Sequence, residues 1–212
     1  MKASTNKKGQ ILDTNQGNNK EEFEGRVAII TGGAKGMGGE ISLELAKAGA
    51  RLSLCARDLD ALNAQVDEIR KEVPSLEAIT ISLDVREEEQ VRSMVQETLK
   101  AFGSIDFLIN TAGVIGPVET PVHEISAEDW DYVLGVNLKG TFLCCKHVIP
   151  TLVDKNWGKI VNISGTSGLR GYVNRASYSS SKWAVRGFTR TLAVEVGPNN
   201  INVNCICPGP VY

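Results

Sequence analysis

The sequence predicts an α/β fold: a doubly wound parallel sheet of about six strands, helices on both faces, in a single domain. Three observations carry that expectation. From Arg26 onward, short β-branched runs alternate with helical patterns, and parallel strands need crossover helices of that length. A glycine-rich turn, "TGGAKGMGG", joins the first such run to the first helical pattern. The chain has 212 residues, 42% apolar and 23% charged, which is enough for one sizeable core and leaves little room for a second.

The elements follow in order. "RVAIIT" reads as a strand, "GGEISLELAKAGA" as a helix ending at Gly49, and "RLSLCA" as a second strand. "DLDALNAQVDEIRKEV" is helical and is stopped by Pro74. "AITISLDV" is a third strand, followed by the helix "EEEQVRSMVQETLKAFG". "IDFLINTAG" is a fourth strand, and a long helical region, about 126–155, follows it. "GKIVNIS", a helix over 177–196 and the strand "INVNCICP" complete the series. The crossovers should be right-handed, and doubly wound folds of this kind bind ligands at the carboxyl ends of their strands.

The bulk properties exclude several classes. Residues 1–23 are rich in Asn, Lys and Gly and read as a flexible tail with no apolar signal region; 24–212 form the domain. Net charge is −2 with no basic block, so neither nucleic acid nor an anionic membrane is expected as a partner. No apolar run reaches the roughly 18–20 residues of a membrane span. Cys55, Cys144, Cys145, Cys205 and Cys207 fall in apolar runs without metal-ligand spacing, so they read as small core residues in a reducing, cytoplasmic protein without metal.

The first turn suits a phosphate. Gly32, Gly36 and Gly38 let the backbone turn sharply and approach a ligand. The helix that starts among Gly36, Met37 and Gly38 offers unpaired N–H groups and a positive dipole end to a pyrophosphate. The plainer alternative is a turn whose glycines only let a helix pack closely on a strand. In a Rossmann-like unit the second strand usually ends in an acid that binds the adenosine ribose of NAD. Here Ala56 takes that place, Arg57 follows, and Lys35 adds a cation beside the turn. A 2′-phosphate favours a guanidinium, so NADP is the expected cofactor. NAD remains possible if Asp58 reaches the ribose while Arg57 faces solvent.

The reactive groups lie further on. Tyr178 and Lys182, four apart at a helix start, share a face. Tyrosine, with a pKa of about 10, is a poor base at neutral pH, and a nearby ammonium would favour phenolate. Such a pair can pass a proton to or from a carbonyl or alcohol oxygen. Alone, Tyr-x-x-x-Lys is also a common accident of helix surfaces. Asn137, in "GVNLKGTF", could equally be an ordinary buried polar residue, and His123 and His147 are isolated.

Taken in register, six motifs resemble the classical short-chain dehydrogenase/reductases from about Glu24 to the end. They are the glycine turn, Asp84-Val85, "NTAG" at 110–113, Asn137, Tyr178 with Lys182, and Pro208-Gly209. The Gly-x-x-x-Gly-x-Gly spacing disfavours that family's extended branch of epimerases and dehydratases. The resemblance implies an NAD(P)-dependent oxidoreductase that interconverts a secondary alcohol and a ketone. It implies Tyr178 as acid/base, Lys182 also on the nicotinamide ribose, and Asn137 holding a relay water. Asp84 and Val85 would contact adenine, Asn110 would stabilise the central sheet, and Ala112, Gly113, Pro208 and Gly209 would border the cofactor. A small alcohol or carbonyl substrate and a homo-oligomer, dimer or tetramer, are implied as partners.

Two departures stand out. Thirteen residues before Tyr178, where the family has a serine, this chain has Gly165. Strand alternation turns Ser164 and Thr166 away from the side that position 165 faces, so Ser167 is the expected substitute donor, with Ser164 next. The alternative is a dinucleotide-binding protein of the same fold without turnover. In addition, the family continues past "CPGPVY" with a closing segment, a helix and a seventh strand. The chain is therefore expected to be truncated relative to the family, with its sixth strand at a sheet edge.

Overall fold

A computed structural model describes residues 23–209. Residues 1–22 of the expected tail and the last three residues lie outside the described residues; Phe23, placed at the end of that tail, instead packs its ring on Phe107. The chain alternates β1 (Val27–Thr31), α1 (Gly36–Lys47), β2 (Arg51–Ala56), α2 (Leu59–Glu72), β3 (Ala78–Ser82) and α3 (Glu88–Phe102). It continues through β4 (Phe107–Asn110), α4 (Ala127–Leu134), α5 (Thr141–Asp154), β5 (Gly158–Ile163), α6 (Ala176–Val196) and β6 (Ile201–Ile206). All pairings are parallel, in the order β3-β2-β1-β4-β5-β6. The order reverses between β1 and β4, and their carboxyl ends open a crevice there.

The side-chain period of two divides each strand between two cores. Ile29, Cys55, Leu108 and Ile160 point into the larger one, against Met94 of α3, Leu143 and Val148 of α5 and Leu192 of α6. Ala28, Ile30, Leu52 and Leu54 point to the other, against Ala46 of α1 and Leu62, Val66 and Ile69 of α2. Burying each Leu or Ile fully contributes roughly 1.5–3 kcal/mol. Helices cover the two faces unequally. On the second face, Asn202, Asn204 and Ile206 of β6 are exposed, and no helix among the described residues covers them.

The expected single helical region at 126–155 is three pieces. Ser126 caps α4 by accepting the Asp129 N–H at 3.0 Å. A π-helical segment, Gly135–Gly140, then carries the chain into α5. Its close approach has a cause, since a Cβ at Gly140 would lie 2.5 Å from a Val85 methyl. Such widened turns often mark functional sites because they re-aim side chains, and here the segment carries Asn137.

Candidate active site

The crevice at the β1/β4 reversal is a cleft of about 290 Å³. Its floor is the turn after β1 and the start of α1. Two of the glycines there, Gly32 and Gly38, have different tasks. Gly32 adopts φ +71°, and a Cβ on it would lie 2.9 Å from the Ala112 nitrogen. A Cβ on Gly38 would lie 2.3 Å from the Gly32 carbonyl oxygen and 2.6 Å from Thr111 Oγ1. The glycine at 38 therefore answers first to close packing of helix on turn, the plainer of the two expectations, and that packing aims the start of α1 into the cleft. Lys35, the N-cap residue, makes no side-chain cap, so the first-turn N–H groups keep no capping partner. Thr111, which also donates to the Thr31 carbonyl, staples the end of β4 to the end of β1.

At the far end of the cleft stand Arg57 and Asp84. Arg57 donates to the Tyr132 hydroxyl at 3.4 Å. Asp58 is the N-cap of α2, its carboxylate accepting the Ala61 N–H at 3.0 Å, so it is already engaged by its own helix. Arg86 grips Asp84 through both carboxylate oxygens, at 3.1 Å from Nε and 2.7 Å from Nη2. That bond holds the Asp84 carboxyl below its usual range. Hydrogen bonding thus ties Asp84 to its neighbour as well as placing it on the cleft wall.

Tyr178, Lys182 and Asn137 come together at the start of α6. The Lys182 ammonium lies 5.6 Å from the Tyr178 ring centre and donates to the Ile163 carbonyl at 3.0 Å. It also lies 3.5 Å from where a Cβ on Gly113 would be, at the cleft wall. Burial pushes Lys182 down to about 8. Asn137 is satisfied on both sides: it accepts the Val114 N–H at 2.8 Å and donates to the Val114 carbonyl and Ser181 Oγ, each at 2.9 Å. Ser181 in turn donates to the Tyr178 carbonyl at 2.7 Å. Asn137 thus fixes the segment after β4 against the turn that carries Tyr178.

Burial also acts on Tyr178. Tyr178 is pushed above its usual value, not below it, and burial is the cause; the opposing charge is that of Arg175. At neutral pH Tyr178 therefore holds its proton.

The hydroxyls around Gly165 differ in their surroundings. Ser164 is buried, and its hydroxyl donates to the Lys182 carbonyl at 2.8 Å, which turns it away from the side Gly165 faces. Ser167 lies beyond β5 in a 3₁₀ turn, Thr166–Gly168, where strand alternation no longer decides direction. Its hydroxyl has no partner among the described residues. Gly165 itself has extended backbone, and a Cβ there would lie 3.7 Å from the Tyr178 hydroxyl and 3.9 Å from the Pro208 carbonyl oxygen.

Of the residues expected at a cofactor, Gly32, Lys35, Met37, Gly38, Arg57, Asp84, Val85, Ala112 and Gly113 line the cleft. Gly36, Asn110, Tyr178, Lys182, Pro208 and Gly209 do not. Gly36 sets the turn with φ +56°. Asn110 points into the larger core, where its amide donates to Asn162 at 2.8 Å and cross-links β4 to β5. The lining residues Ala34, Cys55, Val114, Val136 and Ile163 were missed; as small or apolar side chains, they carry no sequence signal of their own. The five cysteines are free, though Cys205 and Cys207 are half-buried, not core. Among the described residues no cluster suits a metal ion, and no helix is long and apolar enough to cross a membrane.

Comparison with known proteins agrees with this geometry. The profile of a family described as short chain dehydrogenase matches residues 26–212. Levodione reductase of Leifsonia aquatica is 36% identical over 190 residues, covering 90% of this chain and 71% of that protein. Its crystal structure superposes with a TM-score of 0.88, covering 90% of this chain and 73% of that one. The (2S)-[(R)-hydroxy(phenyl)methyl]succinyl-CoA dehydrogenase subunit BbsD of Thauera aromatica is 39% identical, covering 90% and 75%. A crystal structure of NAD+-bound xylitol dehydrogenase, 35% identical, gives a TM-score of 0.85 over 89% of this chain and 72% of that one.

Proposed function

The chain belongs to the short chain dehydrogenase family, and from that premise we propose that it interconverts a secondary alcohol and a ketone, with Tyr178 as the acid/base and NADP(H) as the preferred cofactor. The observation that carries this reading is the shared neighbourhood of Tyr178, Lys182 and the cleft wall at Gly113 and Ile163. The residues present fit a dinucleotide. The uncapped start of α1 suits a pyrophosphate, Gly32 and Ala112 let the backbone come close, and Arg57 and Lys35 suit a 2′-phosphate. The engagement of Asp58 as a helix cap supports Arg57, not Asp58, as the group that meets the ribose. Bound there, the nicotinamide would supply or accept the hydride.

The protein's own residues handle the proton. Tyr178, protonated at neutral pH, donates to a carbonyl oxygen as the carbon is reduced, and takes the proton back in the alcohol direction. The ammonium of Lys182 stabilises the phenolate that forms once the proton has left. Asn137 acts as a positioning residue through Val114 and Ser181. Ser167 is the proposed second donor to the substrate oxygen. The domain proper is taken as 24–212, and a homo-oligomer is its proposed assembly.

The test is reduced-nicotinamide absorbance with a panel of alcohols and ketones, comparing the protein with Tyr178→Phe. The variant should lose turnover by at least about a thousandfold yet bind NADPH unchanged in a fluorescence titration. Undiminished turnover would sink the mechanism. Cofactor binding without turnover by the unaltered protein would favour the non-catalytic alternative, to which the missing serine at 165 points.

A further inference from the structure

The segment 162–194, which carries Tyr178 and Lys182, also holds Arg170, Arg175, Arg186 and Arg190 and not one Asp or Glu, although the whole chain has a net charge of −2. Among the described residues none of these five cations ends on a carboxylate. Arg170 donates to the Tyr172 hydroxyl at 2.9 Å, Arg186 reaches the Gly168 carbonyl and stacks on Trp183, and Lys182 donates to Ile163. Arg190 is exposed, three turns along α6 from Tyr178.

Arg175 differs from the others. It is half-buried, and no hydrogen bond or ion pair holds its guanidinium among the described residues. It occupies the N-cap of α6, and its carbonyl accepts the Ser179 N–H at 2.8 Å. Tyr178 is then at the third helical position, three residues from Arg175, a spacing that puts two residues on adjoining parts of a helix surface. The charge of Arg175 is felt at the Tyr178 hydroxyl. The facing segment after β4 meets α6 at Gly116, where a Cβ would lie 3.7 Å from Ser177 Oγ. Its acids, Glu119 and Glu124, are exposed, and Glu124 lies 3.6 Å from His123. Among the described residues no carboxylate, those of α4 included, forms an ion pair with Arg175.

We propose that the substrate carries a carboxylate which Arg175 binds, so that the carbonyl reduced at Tyr178 is that of a keto acid. This rests on the oxidoreductase reading above and names its substrate class. One free guanidinium presents one planar fork, which matches a carboxylate in a bidentate pair. Arg170 and Arg186, which could have gathered round a phosphate, are each already engaged. Holding the carboxylate next to Tyr178 fixes the carbonyl within proton-transfer reach, so the interaction should appear in kcat/KM.

The experiment follows NADPH oxidation with matched pairs, each a short keto acid and its methyl ester, at low and high salt. The acid should exceed its ester in kcat/KM by at least about tenfold at low salt, with the gap narrowing as salt screens the approach. Arg175→Gln should lower kcat/KM for the acid by about tenfold to a hundredfold and leave the ester within about twofold. Arg175→Lys should recover part of the loss. Equal use of acid and ester, or equal losses on both in Arg175→Gln, would overturn the proposal while leaving the oxidoreductase reading intact. Absence of turnover with every carbonyl would overturn both.

Discussion

A Cβ built on Gly165 would lie 3.7 Å from the Tyr178 hydroxyl, an ordinary van der Waals distance. The backbone there, φ 166° and ψ 173°, is extended and open to any residue. The site has room for a side chain it does not carry.

Gly165→Ser should therefore fold normally and raise kcat for ketone reduction, by about tenfold if its hydroxyl reaches the substrate oxygen, since a missing donor of this kind costs about 2.7–4 kcal/mol at its largest. Gly165→Ala serves as the control for space alone. A thermal melt and steady-state rates on both variants check this. A Gly165→Ser protein that melts earlier or turns over more slowly would show that Gly165 is needed as glycine.

Ser164 and Ser167 should separate into stability and rate. Ser164→Ala removes a buried hydrogen bond to the Lys182 carbonyl and should lower unfolding free energy by about 1 kcal/mol in urea titration, because that carbonyl loses a partner. Ser167→Ala should leave stability unchanged and lower kcat. Equal effects of the two on kcat would remove Ser167 from the proton-transfer scheme.

Arg57→Asp should reverse the cofactor preference, from NADP(H) to NAD(H), by removing a charge-assisted bond and adding repulsion. Dissociation constants for both cofactors decide it. If Arg57→Ala changes neither, Arg57 only meets Tyr132 and solvent.

Lys182 should reduce the stability of the fold. Its folded value of about 8 lies below its ordinary 10.5, so the unfolded chain holds the extra proton between these values and stability from this group rises with pH across that window. The penalty is fully present below pH 8. Lys182→Met should remove it, raising unfolding free energy at pH 7 by on the order of 1–3 kcal/mol while abolishing turnover. Denaturation of both proteins from pH 7 to 10.5 should show the gap closing as pH rises, and a gap constant with pH would refute the assignment.

The sequence by itself determined the order of strands and helices, the single domain and the location of the site at the carboxyl ends of the strands. These follow from local pattern: a short, continuous β-branched run in "RVAIIT", helical spacing in "EEEQVRSMVQETLKAFG", and glycines where a turn needs them. It also determined that Tyr178 and Lys182 share a face, because four residues are about one helical turn. Tertiary structure decided what depends on neighbours distant in the chain. Gly38 is glycine because the Gly32 carbonyl and Thr111 crowd it, Asn110 faces Asn162 and not the cleft, and the Ser164 hydroxyl is taken by Lys182, eighteen residues away. Burial, which no local pattern reports, pushes Tyr178 up and Lys182 down. Hydrogen-bond partners and desolvation belong to the packed chain, so a motif can name the reactive residues without fixing their charge or the groups they face.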